Sequence, residues 1–90
     1  MRALFVGGTV DNSELDLARD TPPLHYPENT GAGRPRYELR HVGRGDGDDI
    51  AYAVYAAPGL ADEEVERIAL ERDYPRRFGA ALQPATRHGP

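Results

Sequence analysis

Residues 50–56, which read IAYAVYA, decide the fold of this 90-residue chain. Their side chains are apolar, β-branched and aromatic, and the larger ones recur with period two, which is typical of a buried strand. On the N-terminal side, Tyr37–Val42 alternates in the same way, and Gly43–Asp49 between the two segments is rich in Gly and Asp. These residues predict a β-hairpin whose second strand is the centre of the sheet.

The clearest helix signal follows this hairpin. Pro58-Gly59 predicts the end of the strand, because these residues break regular structure. Residues 62–73 carry one apolar stripe at helical spacing and three acidic residues in the first turn, where carboxylates favour the positive end of the helix dipole. Pro75 predicts that the helix ends near Asp73 or Tyr74.

A second hairpin is predicted at the start of the chain. The apolar run Ala3–Val6 stops at Gly7-Gly8, and Glu14–Leu17 alternates like a half-buried strand. The residues between them tolerate positive φ, as a hairpin turn requires.

The turn of this hairpin carries a resemblance. Leu4–Asn12 followed by an alternating strand resembles the start of many short uncharacterised bacteriophage and prophage proteins, which open with a strand, the pattern Gly-Gly-x-x-Asp-Gly and a second strand. Asn12 stands where that pattern has Gly, and Asn also adopts the left-handed conformation. The match covers under one fifth of the chain. It implies a mobile-element origin and no particular activity.

The order β-β-loop-β-β-α predicts an α+β fold, with a four-stranded, mainly antiparallel sheet and one C-terminal amphipathic helix on one face. We predict a single domain over residues 1–84 and a frayed tail over 85–90. Residues 20–36 hold four Pro and two Gly and form the long irregular connection. Because the first strand is apolar on both faces, its second face must be covered by the 20–36 loop, by a second copy or by another protein.

Composition limits the function classes. The net charge of −4 argues against nucleic-acid binding through a phosphate-neutralising surface, even though Arg34, Arg36, Arg40 and Arg44 fall close together. The chain has no Cys, which excludes disulfides and thiolate metal sites. It has no apolar run long enough for a membrane span and no signal-peptide pattern at its start, so we expect a cytoplasmic protein.

Three motifs resemble parts of known ligand-binding or catalytic sites, but each lacks residues that such a site needs. Phe5–Thr9 lacks the third Gly and the following helix of a phosphate-binding turn. Asp46–Asp49 lacks the ligand spacing and flanking helices of a calcium loop. His25, His41 and His88 are scattered over loop, strand and tail, and His41 is expected to be satisfied or at the surface. The sequence therefore predicts no catalytic constellation, no cofactor and no metal site.

Two groups of residues are predicted to contact a partner. Tyr residues on the second hairpin combine an apolar ring with a polar tip, which suits both cores and interfaces. The predicted helix carries a local charge of −4, and Glu63 is expected to support Arg67 one turn later. The predicted partner-binding residues are Tyr37, Tyr52, Tyr55, Glu63, Glu66 and Arg67.

The leading hypothesis is a small non-enzymatic protein-protein interaction module, phage- or mobile-element-encoded. It would bind a protein partner, or itself as a homodimer, through the open sheet face or the acidic helix. One alternative is a small-ligand or cation-binding protein, or a minor enzyme, that uses the 20–36 loop. Another is an acidic inhibitor that mimics nucleic acid.

Overall fold

The computed structural model describes residues 1–19, 21–26, 36–45 and 49–85. Within these ranges the chain forms one mixed sheet of six strands and two short helices. In chain order the elements are β1 (Arg2–Val6), β2 (Glu14–Asp16), β3 (His25–Tyr26), β4 (Tyr37–Arg44), β5 (Ile50–Ala56), α1 (Asp62–Glu71), α2 (Tyr74–Phe78) and β6 (Ala81–Pro84).

β5 lies inside the sheet, between β1 and β4, as the IAYAVYA segment predicts. Both predicted hairpins are present, since β2 pairs with β1 and β4 with β5, each antiparallel. β1 runs parallel to β5, with Leu4 beside Val54, so the two hairpins join through their most apolar strands. The α+β class is confirmed, and the sheet is mainly antiparallel. The described residues form six strands and two helices, however, rather than the predicted four strands and one helix.

The helices cover one face of the sheet. Val65 and Ala69 of α1 are buried against Leu4 and Val54, as the apolar stripe predicts. α1 ends at Glu71, two residues before the nearer predicted end. The chain then turns through a left-handed residue at φ 64°, Asp73, and α2 begins. Pro75 therefore lies in the first turn of a second helix, where its missing N–H costs no hydrogen bond.

β6 was not predicted. α2 ends at Phe78, and Gly79 adopts a left-handed φ of 67°. The chain then turns into β6, which places Leu82 opposite Gly43 of β4. The Ala85 N–H continues this pairing with a 2.9 Å hydrogen bond to the Arg40 carbonyl. Thr86–Pro90, most of the predicted tail, lie outside the described residues.

The second face of the sheet is covered in part by Thr21–Tyr26, which we call the strap. The buried Tyr55 hydroxyl donates a 2.7 Å hydrogen bond to the Pro23 carbonyl. The ring of Phe5 lies 5.5 Å from that of Tyr26. The sequence allowed three covers for this face, namely the 20–36 loop, a second copy or another protein. The observed cover belongs to the 20–36 loop. The remainder of that connection, Asp20 and Pro27–Pro35, lies outside the described residues.

Gly43 was predicted to belong to the hairpin turn, and this was wrong. It is a strand residue of β4 that pairs with Tyr52, and the Tyr52 ring lies directly over it. A glycine lets an aromatic ring pack onto the backbone of the neighbouring strand. The predicted hairpin tip is correspondingly shorter, and its residues Asp46–Asp48 lie outside the described ranges.

A candidate binding groove

A groove of about 440 Å³ opens on the face of the sheet that carries the strap. One side is formed by Thr21, Pro22 and Leu24 of the strap, and the other by Gln83, Pro84 and Ala85. Between the two sides lie Leu39, Val42 and Arg44 of β4 and Ile50 of β5.

The groove exists because two short strands share one edge of β4. β3 pairs with the first residues of β4, and β6 pairs with its last four. The Leu39 N–H donates to the Leu24 carbonyl at 2.9 Å, and the neighbouring Arg40 carbonyl accepts from the Ala85 N–H at 2.9 Å. The strap and β6 thus meet at the middle of β4, and the groove lies over that junction.

The described lining residues are mostly apolar by type, although polar atoms supply about half of the lining surface. Seven of the ten described lining residues are aliphatic or Pro, two are neutral polar residues, and the one charged residue among them is Arg44. Val42 is 4% exposed, whereas Leu24 on the strap side is 46% exposed. Leu24 thus adds exposed apolar area at the side of the concavity, and concave surfaces lined mostly by apolar residues are the usual binding sites of proteins.

The three predicted tyrosines lie in or beside the core, and each hydroxyl anchors a peripheral segment. Tyr52 donates to the Ala80 carbonyl at 2.9 Å, just before β6. Tyr55 fastens the strap, as described above. Both residues are 0% exposed, so they offer no surface to a partner of the folded chain. Burial raises the pKa of Tyr52 to about 12.

Tyr37 anchors the turn of the first hairpin. Its hydroxyl donates to the Gly7 carbonyl at 2.5 Å and accepts the Val10 N–H at 3.1 Å. A Cβ on Gly8 would collide with this hydroxyl, and Gly8 has a positive φ of 70°. The second Gly of the pair is therefore required for two independent reasons.

Asp11 closes the same turn from inside. Its Oδ1 accepts the Gly7 N–H at 2.7 Å and the Arg72 guanidinium at 2.8 Å. The Arg72 hydrogen bond is the main reason that the pKa of this carboxyl lies below its usual range. Asn12 adopts a left-handed φ of 67°, as its place in the predicted turn requires. The turn is thus filled by the chain's own groups.

The predicted contact residues of the helix lie on the exposed side of α1. Glu63, Glu66 and Arg67 are all exposed. Arg67 makes its ion pair with Glu71, at 2.9 Å, rather than the expected pair with Glu63. Leu70 on the same helix is 52% exposed. Their role in partner binding stays a prediction.

His41 is neither at the surface nor fully hydrogen-bonded among the described residues, contrary to the expectation that one of the two would hold. It is 4% exposed, and its Nδ1 has no hydrogen-bond partner among the described residues. Burial is the main cause that lowers its pKa, and Arg40 adds to this effect, while the carboxylates of Asp62 and Glu66 partly offset it. No group of three or more His, Asp or Glu side chains within the described ranges could hold a metal ion.

The basic cluster suggested by the sequence does not form a single surface. Arg40 points toward the start of α1, where it donates to the Leu60 carbonyl at 2.9 Å and pairs with Asp62. Arg44 instead lines the groove on the other face. Arg34 lies outside the described residues.

Comparison of the chain with protein-family models, with curated protein sequences and with solved structures gives no match. In the part of the chain that the structure describes, neither helix has the length and apolarity needed to cross a membrane.

Proposed function

We propose that this chain is a small non-enzymatic protein-protein interaction module that holds an apolar side chain of a partner protein in the groove. The supporting observation is the groove itself, a concavity whose described lining residues are mostly aliphatic or Pro, with the half-exposed Leu24 at its side. Its volume of about 440 Å³ falls within the range of sites that hold organic groups, roughly 300–1,000 Å³. The proposal includes a cytoplasmic location and a phage or other mobile-element origin.

The chemistry of the lining favours binding over catalysis. General acid–base catalysis needs a His, carboxylate or similar group within hydrogen-bond reach of the substrate. None of the ten described lining residues is His, Asp, Glu, Cys or Tyr. Thr21 supplies a hydroxyl, but none of the described lining residues could act as its base.

The test compares two matched surface substitutions. Leu24→Asp places a charge in the groove, and Leu70→Asp places one on the outer face of α1, at a residue of similar exposure. We expect the wild type and Leu70→Asp to retain the same protein from a bacterial host lysate and Leu24→Asp to lose it. Calorimetry with the purified partner should then show at least about tenfold weaker binding for Leu24→Asp, since a charge in an apolar contact is poorly solvated.

Identical retention by all three proteins, or a strictly monomeric wild type that retains nothing, would overturn the proposal. Sedimentation velocity of the same variants tests the homodimer form. In that form the wild type and Leu70→Asp self-associate and Leu24→Asp does not.

The exposed acidic face of α1 supports a second candidate, an inhibitor that docks on a basic, nucleic-acid-binding surface. Five of its ten residues are acidic and exposed, and Arg67 is the one cation. Charge complementarity of this kind acts mainly on association rate and partner choice. A Glu63→Arg, Glu66→Arg variant that loses the captured protein while Leu24→Asp keeps it would favour this candidate. A thermal-shift screen with metabolites and divalent cations tests the ligand-binding alternative.

A further inference from the structure

His41 lies in the core between the sheet and α1. It pairs across the sheet with Val54, whose side chain belongs to the buried cluster beneath the helices. Residues directly opposite each other on antiparallel strands share a face, so the imidazole lies on that face as well. It is 4% exposed, and its Nδ1 has no hydrogen-bond partner among the described residues. The ring nitrogen thus lacks the hydrogen bond that a buried polar atom normally makes.

The surroundings of His41 disfavour a positive charge on the ring. Its neighbours in register on β5 and β6, Val54 and Pro84, are apolar. The charged groups near it are one cation on its own strand and two carboxylates on α1, namely Arg40, Asp62 and Glu66. One of the carboxylates, Asp62, already pairs with the cation. Burial is the largest cause that lowers the pKa of His41, so the imidazolium is more stable wherever water reaches the ring.

α1 is attached to the sheet by few buried side chains. Two of its ten residues are buried, Val65 and Ala69. On the opposite face of the sheet, a second buried cluster that includes Phe5 and Tyr55 lies on β1, β4 and β5. On the helix face, α2 makes its own ring contacts with Tyr52. The sheet therefore keeps one whole core, and part of the other, when α1 moves away.

We propose that protonation of His41 releases α1 from the sheet, so that the fold contains an acid-sensitive switch. The released state lets water reach the imidazolium and exposes the apolar surface of Leu4 and Val54. The sign follows from linkage. Because the pKa of His41 is lower in the folded chain than in the released state, the released state gains population as pH falls below about 6.5.

Two attachments at the ends of α1 oppose the release. Arg40 donates to the Leu60 carbonyl at 2.9 Å before the helix begins, and Arg72 pairs with Asp11 at 2.8 Å after it ends. The pKa of Asp11 lies below its usual range, and ordinary carboxyls titrate near pH 4. An effect between pH 7.5 and 5.5 therefore reports on histidine.

Hydrogen exchange of the full chain, followed amide by amide with NMR at pH 7.5 and 5.5, tests the switch. After correction for intrinsic exchange rates, we expect the Val65 and Ala69 amides to be less protected than the Val54 amide at both pH values. Their protection should fall about three- to tenfold at pH 5.5, because the released state binds a proton with the ordinary histidine pKa. Low urea should accelerate exchange at Val54 but hardly at α1, since local release exposes less surface than unfolding.

Variants assign the effect to one side chain. His41→Gln keeps a polar side chain but cannot titrate, so α1 protection should change less than about twofold between the two pH values. Glu63→Gln is the matched control, because Glu63 is exposed on the same helix, and it should keep the wild-type pH dependence. If His41→Gln does not fold, the ring resonances of wild-type His41 decide, and their titration midpoint should lie below pH 6.5.

Three results would overturn the proposal. Equal protection and equal urea dependence at Val65 and Val54 would show that α1 leaves the sheet only on global unfolding. Constant α1 protection at the two pH values, or an equal fall in His41→Gln, would exclude His41 as the trigger. A ring midpoint at or above pH 6.5 would do the same. None of these results bears on the groove, which lies on the other face of the sheet.

Discussion

Replacing Gly43 with Ala tests the packing between β4 and the core. A Cβ at this position would overlap the ring carbons Cδ2, Cε2 and Cζ of Tyr52. The ring has little freedom to move away, because Tyr52 is 0% exposed and its centroid lies 5.4 Å from the Phe78 ring and 6.3 Å from the Tyr74 ring. Any large shift also breaks the hydrogen bond from Tyr52 to the Ala80 carbonyl.

The expected cost combines three effects. Overpacking a core by a methyl group costs about 1–3 kcal/mol. A weakened buried hydrogen bond adds about 0.5–1.5 kcal/mol. The smaller conformational entropy that Ala loses on folding offsets about 0.5–1 kcal/mol. We therefore expect Gly43→Ala to lower the free energy of unfolding by about 2 kcal/mol, which corresponds to roughly 8–16 °C in Tm for a domain of this size.

Urea unfolding followed by circular dichroism measures this change. Gly45→Ala is the matched control, because a Cβ there meets nothing within 4 Å and no positive φ is involved. The double variant Gly43→Ala, Tyr52→Leu should be less destabilised than the sum of its single variants, since removing the ring removes the overlap. Equal stability of Gly43→Ala and Gly45→Ala, or strict additivity in the double variant, would refute the reasoning.

The remaining predictions concern the tethers and the buried histidine. Tyr55→Phe should cost about 1–2 kcal/mol in urea unfolding, because the strap carbonyl loses its buried donor; an unchanged midpoint contradicts this role. The lowered pKa of His41 means that the folded chain binds fewer protons than the unfolded chain below about pH 6.5, so stability should fall as pH falls through that region, by at most about 1.4 kcal/mol per pH unit. His41→Gln should flatten this slope, and an unchanged slope contradicts its assignment to His41. Asp11→Asn keeps an oxygen for the turn but loses the ion pair with Arg72. Because Asp11 is 45% exposed, we expect this variant to lower the free energy of unfolding by about 0.5–1 kcal/mol, and by less at high salt. The lowered pKa of Asp11 predicts that this contribution is present above about pH 4 and disappears as the carboxyl is protonated.

The candidate site shows how local and distant information differ. The predicted contact residues on α1 follow from an acidic helix face, which is a local pattern, and they are exposed as expected. The groove combines a strap near residue 22, the middle of β4 and residues after Leu82, which are distant in sequence. Within the strap, Leu24 is half-exposed, whereas the ring of Tyr26 packs against the ring of Phe5. No local pattern distinguishes these two outcomes, because both side chains are large and apolar.

The sequence by itself determined the two hairpins, the inner place of IAYAVYA, the left-handed turn at Asn12 and the apolar stripe of the first helix. Each of these depends on alternation, turn chemistry or helical spacing within a few residues. Only the tertiary structure decided that β1 runs parallel to β5, that β3 and β6 share an edge of β4, and that Gly43 lies beneath Tyr52. Period-two alternation tells which side chains share a face, but it does not tell which strand lies beside them. Which strands pair depends on how much apolar surface the whole sheet buries, and the groove results from that pairing.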